Sequence, residues 1–289
     1  MANDRGTLDA QYYLVAFVDV LGQQEALAKI KHLPDEKNQE EVQEFIQLMK
    51  DSHGVVDGMQ RTFFNYFDSY AATKTPIPSL PPDLLALYQQ CRGNEIKKQR
   101  FTDGLVIFVS LNDTVNKCPI KSMHGILMGC ASMVLLWMAG RPLRAGIEIG
   151  MGWEANPGEI YGPVVAQAYR LENKVAKYPR IVIGDGVFRY LDSFEGMPDT
   201  DRVSAINKGM AEQCHKLMAQ DTDGRPILDY LGKEFKDQVG TFAHQDDFLK
   251  IERFANDQHA KWMQERNTER AFRYVLLKQY IEARRSVWI

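Results

Sequence analysis

Cysteine is scarce in this 289-residue chain, and the four that occur are scattered. Cys91, Cys118, Cys130 and Cys214 show no CxxC spacing. That argues against a zinc ribbon and a disulfide framework, and it fits a reducing compartment. An excess of one charge is also missing. The formal net charge is −3, so no broad footprint for nucleic acid is expected. No two of the six histidines have metal-ligand spacing. There is no GxxxxGK[ST] loop, no GxGxxG turn and no Ser-His-Asp or Cys-His arrangement, which argues against P-loop, dinucleotide-binding and nucleophilic hydrolase chemistry. Long hydrophobic runs are absent too. The most apolar helix candidate, Gly125 to Ala139, contains Gly129 and Ser132 and is followed by Arg141. It is short for a bilayer and reads as a buried core helix. The opening residues Met1 to Gly6 lack the apolar core of a signal peptide. A soluble, cytoplasmic protein without a membrane partner is therefore expected.

What is present fits a globular chain of one large domain or two small ones, at 45% hydrophobic and 25% charged residues. Tyr12 to Val18 is a continuous apolar run, hence a central strand covered on both faces. It ends in Asp19-Val20-Leu21-Gly22, and a helix is expected from about Gln24. Helix N-terminal amides placed there can receive phosphate. Asp19 itself reads either as a helix cap or as a metal ligand. Helical spacing runs from Asp35 to Tyr70, with Val42, Phe45, Ile46 and Met49 inward and Gly54 and Gly58 as candidate interruptions. Pro76, Pro78, Pro81 and Pro82 mark a loop, and Leu84 to Gln90 a short helix.

Lys97 to Arg100 and Phe101 to Val109 read as a hairpin with Asp103-Gly104 at its tip. Asp103 alone is a turn former. Beside Asp19 it becomes a second candidate acid. Lys97, Lys98 and Arg100 suit either a phosphate-facing patch or a solvated strand edge. A helix follows from Ser122, and then a strand from Leu143 to Gly150 whose glycines mark close backbone approach. Met151 to Pro157 reads as a loop. Pro163 opens a helix that puts Ala166, Tyr169, Arg170 and Asn173 on one face. Tyr178 to Asp185 is a fourth strand. Beyond it lie an amphipathic helix from Val203 to Ala219, a short strand within Pro226 to Leu231, and one long charged helix from Asp257 to Arg285. In that last helix Trp262, Phe272, Val275, Leu276 and Tyr280 face inward. Strands alternating with helices place the chain in the α/β or α+β class. Two acids at turns beside core strands, if they converge, suit a pair of Mg²⁺ or Mn²⁺ ions, which take oxygen ligands and triphosphates.

The stretch Val15 to Gly22 resembles the first metal motif of class III nucleotidyl cyclases, Phe-x-Asp-Ile-x-Gly, and Phe101-Thr102-Asp103 resembles the second. Leu143 to Gly150 is similar to their Arg-x-Gly-Ile-x-x-Gly strand, and Gly162 to Leu171 to their Gly-x-x-Val-Asn-x-Ala-Ala-Arg-Leu helix. The similarity runs in order over residues 12 to 185. Within the class, Ala168 to Glu172 followed by Tyr178 to Ile183 resembles the bacterial pyrimidine cyclases of Pycsar antiphage systems.

The resemblance implies an α+β cyclase domain with a ferredoxin-like core over residues 1–185, and added C-terminal helices over 186–289. It implies a head-to-tail homodimer with composite sites. The implied reaction takes UTP or CTP to the 3′,5′-cyclic nucleotide and pyrophosphate, a messenger for a separate antiviral effector. Asp19 and Asp103, with the Val20 carbonyl, match the ligands of two Mn²⁺ or Mg²⁺ ions. Arg144 matches a triphosphate contact, with Val20 and Gly22 beside it. Arg170 matches the arginine that stabilises charge at the α-phosphorus. In such a dimer, Asp19, Asp103 and Arg144 come from one chain, and Arg170 and the base reader from the other. The two base-reading positions fall on Gln99 and Glu159, which match neither the adenylate nor the guanylate pair. Glu159 also suits a solvated loop acid. Ala166 stands where the family carries a ribose-orienting Asn, and the family's C-terminal lysine has no match. A purine cyclase and a non-catalytic cyclase-like module are the competing readings.

Overall fold

Strand β1 (Gln11–Val20) is buried from Tyr13 to Val20, and a neighbour on each side saturates its backbone. Those neighbours, β3 (Gly104–Ser110) and β4 (Leu143–Asn156), both run antiparallel to it. The hairpin strand β2 (Lys97–Arg100) pairs with β3, and β5 (Glu159–Tyr161) folds back on β4. Three short strands, β6 (Ile181–Ile183), β7 (Met218–Gln220) and β8 (Pro226–Leu228), complete an eight-stranded sheet of order β2-β3-β1-β4-β6-β8-β7. Every pairing is antiparallel except β4 with β6. This computed structural model describes residues 10–22, 31–72, 77, 80–101, 104–112, 118–196 and 202–289. The helix expected after Gly22 lies outside them.

The helices are α1 (Gln39–Ala72), α2 (Pro82–Gln90), α3 (Pro119–Trp137), α4 (Pro163–Arg170), α5 (Asp185–Glu195), α6 (Arg202–Lys216), α7 (Lys233–Val239), α8 (Gln245–Gln264), α9 (Thr268–Glu282) and α10 (Arg285–Trp288). The α+β class expected from the sequence is what the chain adopts. Alternation along β1 explains the two layers. Leu14, Ala16, Val18 and Val20 enter the main core with α1, α3 and the C-terminal helices. Tyr13, Val15 and Phe17 point the other way, into a small cluster with Val106, Phe108, Ile160, Val164 and Ala168. That second face has α4 and β5 over it and is otherwise open among the described residues.

Helix α3 is the one described helix long and apolar enough to cross a membrane, but 83% of that stretch is buried inside the fold. It is the central core helix, as its sequence suggests.

Several expectations change, among them the inward face of α1, where Ile46 is 37% and Met49 47% exposed. Helix α1 runs through Gly54 and Gly58 without interruption. Gly58 is there for packing: a Cβ would come within 2.5 Å of the Trp137 ring. Strand β4 continues through Met151 to Asn156, because β5 supplies a pairing partner that a local reading does not see. The long C-terminal helix is two helices. Arg266 adopts φ 55°, and Asn267 caps α9 by accepting from the Arg270 N–H at 3.1 Å. Tyr280 packs inward at 3% exposure, whereas Phe272 is 59% exposed.

Residue 185 begins α5, and the chain beyond it is mostly helical but adds β8 and β7 to the same sheet. Asp229 ties this region together by accepting from Tyr280 Oη at 2.8 Å and Arg284 Nε at 2.9 Å.

Candidate functional site

Asp19 sits one residue before the end of β1, opposite Gly104 on one side and Arg144 on the other. It is 7% exposed. Its Oδ2 accepts from Arg144 Nη2 at 3.0 Å and Nε at 3.3 Å. Arg144 also holds Glu172, with Nε 2.6 Å from Oε1. One guanidinium is thus shared by two carboxylates at the edge of the open sheet face.

These three groups line a cleft of about 580 Å³. Phe17, Phe101 and Tyr169 form an aromatic wall, with Phe17 5.6 Å from Phe101 and 5.2 Å from Tyr169 between ring centroids. Gln99 enters the same cleft from β2, in register with Val106 and through it with Phe17. Its Oε1 accepts from the Ile160 N–H at 3.1 Å, which leaves the amide nitrogen as the group to offer a ligand. Ala166 and Asn173 complete the α4 side.

The fold therefore brings together Asp19, Arg144, Gln99 and Ala166, which lie far apart in sequence. It does not bring in the others. Glu159 is exposed on β5 and accepts from Asn156 Nδ2 at 2.8 Å. Arg170 is exposed and forms no ion pair among the described residues. The Val20 side chain is buried, and its backbone pairs with Leu143. Gly22 takes φ +88° and lines a neighbouring pocket of about 220 Å³ with Trp262, Arg270 and Arg273. Asp103 lies outside the described residues. Its flanks do not: Phe101 N donates to the Gly104 carbonyl at 2.9 Å. The basic run on β2 is a strand edge in its contacts. Lys97 pairs with Glu154 at 2.9 Å and Arg100 with Asp57 at 2.5 Å.

Glu172 is the residue that sequence reasoning missed. Helix α4 passes at Leu171 into a π-helical turn, Leu171–Val175, a geometry frequent at functional sites. Glu172 lies in that turn at 1% exposure. The turn is braced at both ends. Arg180 Nη2 donates to the Val175 carbonyl at 2.7 Å while Nη1 binds Asp221 at 2.5 Å. On the other side the turn rests on β4 at Gly146, where a Cβ would fall 2.3 Å from the Ala168 carbonyl and 2.6 Å from Glu172 N. Gly146→Ala is expected to push the turn off the strand, at about 2–3 kcal/mol by the usual cost of overpacking. Its urea midpoint should drop accordingly; an unchanged midpoint would refute this packing.

Two other carboxylate groups are not part of the cleft. Burial pushes the Glu148 carboxyl above its ordinary range, and Oε1 accepts from Ile149 N at 2.9 Å and Gly186 N at 2.8 Å. It secures the start of α5. Asp192 and Glu195 of α5 face His215 of α6, with ligand atoms within 4.8 Å of one another. The two acids are exposed, and the three groups form a helix-to-helix ion pair when His215 is protonated.

No protein-family model matches this chain, and no curated protein matches it.

Proposed function

We propose that this chain is a metal-dependent class III nucleotidyl cyclase that converts UTP or CTP to the 3′,5′-cyclic nucleotide and pyrophosphate. The observation that carries the reading is Asp19: a nearly buried carboxylate at the end of the central strand, opening into a cleft that also holds Arg144 and Gln99. Strand order supports the ferredoxin-like core. β2-β3-β1-β4, all antiparallel, with helices between β1 and β2 and between β3 and β4, is the split βαβ arrangement.

The donor set suits hard divalent cations, which take oxygen ligands. Asp19, with Asp103 and the Val20 backbone carbonyl as the resemblance assigns them, would hold two Mg²⁺ or Mn²⁺ ions, which would neutralise triphosphate charge and ease loss of the ribose 3′-hydroxyl proton. Arg144 binds triphosphate oxygens through its fork of N–H donors. The aromatic wall of Phe17, Phe101 and Tyr169 takes the flat face of the base. Gln99, its oxygen already held by Ile160, donates its amide to a base acceptor. Uracil and cytosine both carry one, so Gln99 accommodates either. Glu159, occupied with Asn156, is a poorer reader in the chain by itself. Arg170 is supplied by the partner of a head-to-tail dimer, because in its own chain it stands outside the cleft. The product acts in the cytoplasm on a separate effector.

The test is incubation with each of the four NTPs and Mn²⁺, followed by identification of the products. A cyclic pyrimidine nucleotide is expected as the main product. Mainly cyclic AMP or cyclic GMP would replace this reading with a purine cyclase, and no product from any NTP would favour a non-catalytic module.

A further inference from the structure

We infer that Glu172 is a positioning residue that keeps Arg144 clamped when Asp19 turns to a divalent cation, and so sets the cation affinity of the Asp19 end of the cleft. The inference rests on the proposed role of Asp19 and adds a residue that the resemblance does not assign.

The geometry is asymmetric. Arg144 Nε lies 2.6 Å from Glu172 Oε1 in an ion-pair contact, while the Arg144 hydrogen bonds from Nε and Nη2 are aligned on Asp19 Oδ2 at 3.3 and 3.0 Å. Glu172 is the more buried partner, with a side chain 1% exposed against 10% for Asp19. Its backbone cannot drift, because the π-helical turn sits directly on Gly146, two residues from Arg144 on the same strand. Asp19, by contrast, lies at the strand end and faces the open cleft.

Charge counting gives the consequence. Two carboxylates and one guanidinium leave one negative charge among the three. Burying such a set is costly unless each charge keeps a partner. A cation arriving at Asp19 competes with Arg144 for Oδ2. While Glu172 holds the guanidinium, Asp19 can be released without stranding a buried positive charge. With Glu172 neutralised, Asp19 becomes the only carboxylate of the three for Arg144, and the local negative charge is gone. Both effects oppose the cation.

Glu172→Gln keeps the volume and removes only the charge from the ion-pair contact with Arg144, so packing should survive. Mn²⁺ affinity is measured by electron paramagnetic resonance on the full-length protein without nucleotide, with melting curves as the fold control. Asp19→Asn serves as the reference for Mn²⁺ bound at this place. Glu172→Gln is expected to weaken the Asp19-dependent Mn²⁺ binding about tenfold at little change in melting temperature. If the Gln variant does not fold, Glu172→Asp is titrated instead. It retains the charge but draws the carboxylate back from Nε, and a threefold or greater loss is expected. A loss of less than threefold in the folded variant overturns this inference and leaves the role of Asp19 intact. Wild-type Mn²⁺ binding that Asp19→Asn does not reduce overturns the role of Asp19, and this inference with it.

Discussion

Asp19→Asn is expected to lower cyclic nucleotide formation at least about 10³-fold, equivalent to roughly 4 kcal/mol of barrier, while the protein stays folded. The first half follows from chemistry. A neutral amide oxygen is a poor ligand for a hard divalent cation, and the proposed reaction needs that charge beside the triphosphate. The second half follows from the shared arginine. Removing one carboxylate of a buried pair usually strands the other charge at a cost of several kcal/mol. Here Arg144 keeps Glu172 at 2.6 Å, so no charge is stranded. Melting curves should therefore shift little, and turnover should collapse. The measurement is product formation with the preferred NTP and Mn²⁺, alongside thermal denaturation. Turnover within tenfold of wild type would remove the metal-ligand role. Collapse of the fold together with activity would mean that Asp19 acts chiefly as a structural partner of Arg144.

Much of the frame was legible because it depends on local signals. An unbroken apolar run predicts β1 as a strand buried on both faces, and burial from Tyr13 to Val20 agrees. Pro163 predicts the start of α4, and the helix begins there. The cleft was legible in part for the same reason: Asp19 and Arg144 each occupy a definite place on a strand, and antiparallel register then sets them side by side. The rest depends on long-range contacts. No local pattern marks the change from α to π geometry at Leu171, and Glu172, which follows the buried Val164 and Ala168 at spacings of four, meets Arg144 only through the tertiary fold. A helical wheel drawn through Arg170 and Asn173 assumes unbroken α spacing, and that spacing ends between them. The aromatic wall draws Phe17, Phe101 and Tyr169 from three separate elements, so nothing in any one stretch announces it. The resemblance puts Glu159 at a base-reading position, and its place on β5 also gives it Asn156 as a partner.

Asp19→Asn and Arg170→Ala should each be nearly inactive alone, yet a mixture of the two should recover activity. The structural basis is that one chain gathers Asp19, Arg144 and Gln99 in a cleft and leaves Arg170 exposed outside it. The cleft face also carries apolar surface: Phe101 is 41%, Tyr161 47% and Tyr169 46% exposed. A head-to-tail partner laid on this face would cover those rings and carry its own Arg170 to the opposite side of the site. In a symmetric dimer there are then two such sites. Random exchange makes about half of the dimers mixed, and each mixed dimer has one site with both lesions and one with neither. Activity should return to about a quarter of the wild-type level by this symmetry count. Recovery requires no new contact, so it reports where Arg170 acts and not how well it acts. The control is Asp19→Asn mixed with Asp103→Asn. In the proposed dimer both lesions belong to the same chain's half of the site, so every site in a mixed dimer would remain damaged and no recovery is expected. Tagged subunits confirm that exchange has occurred. Exchange without recovery in the first mixture would place Arg170 in its own chain's site, or show a dimer built on another face.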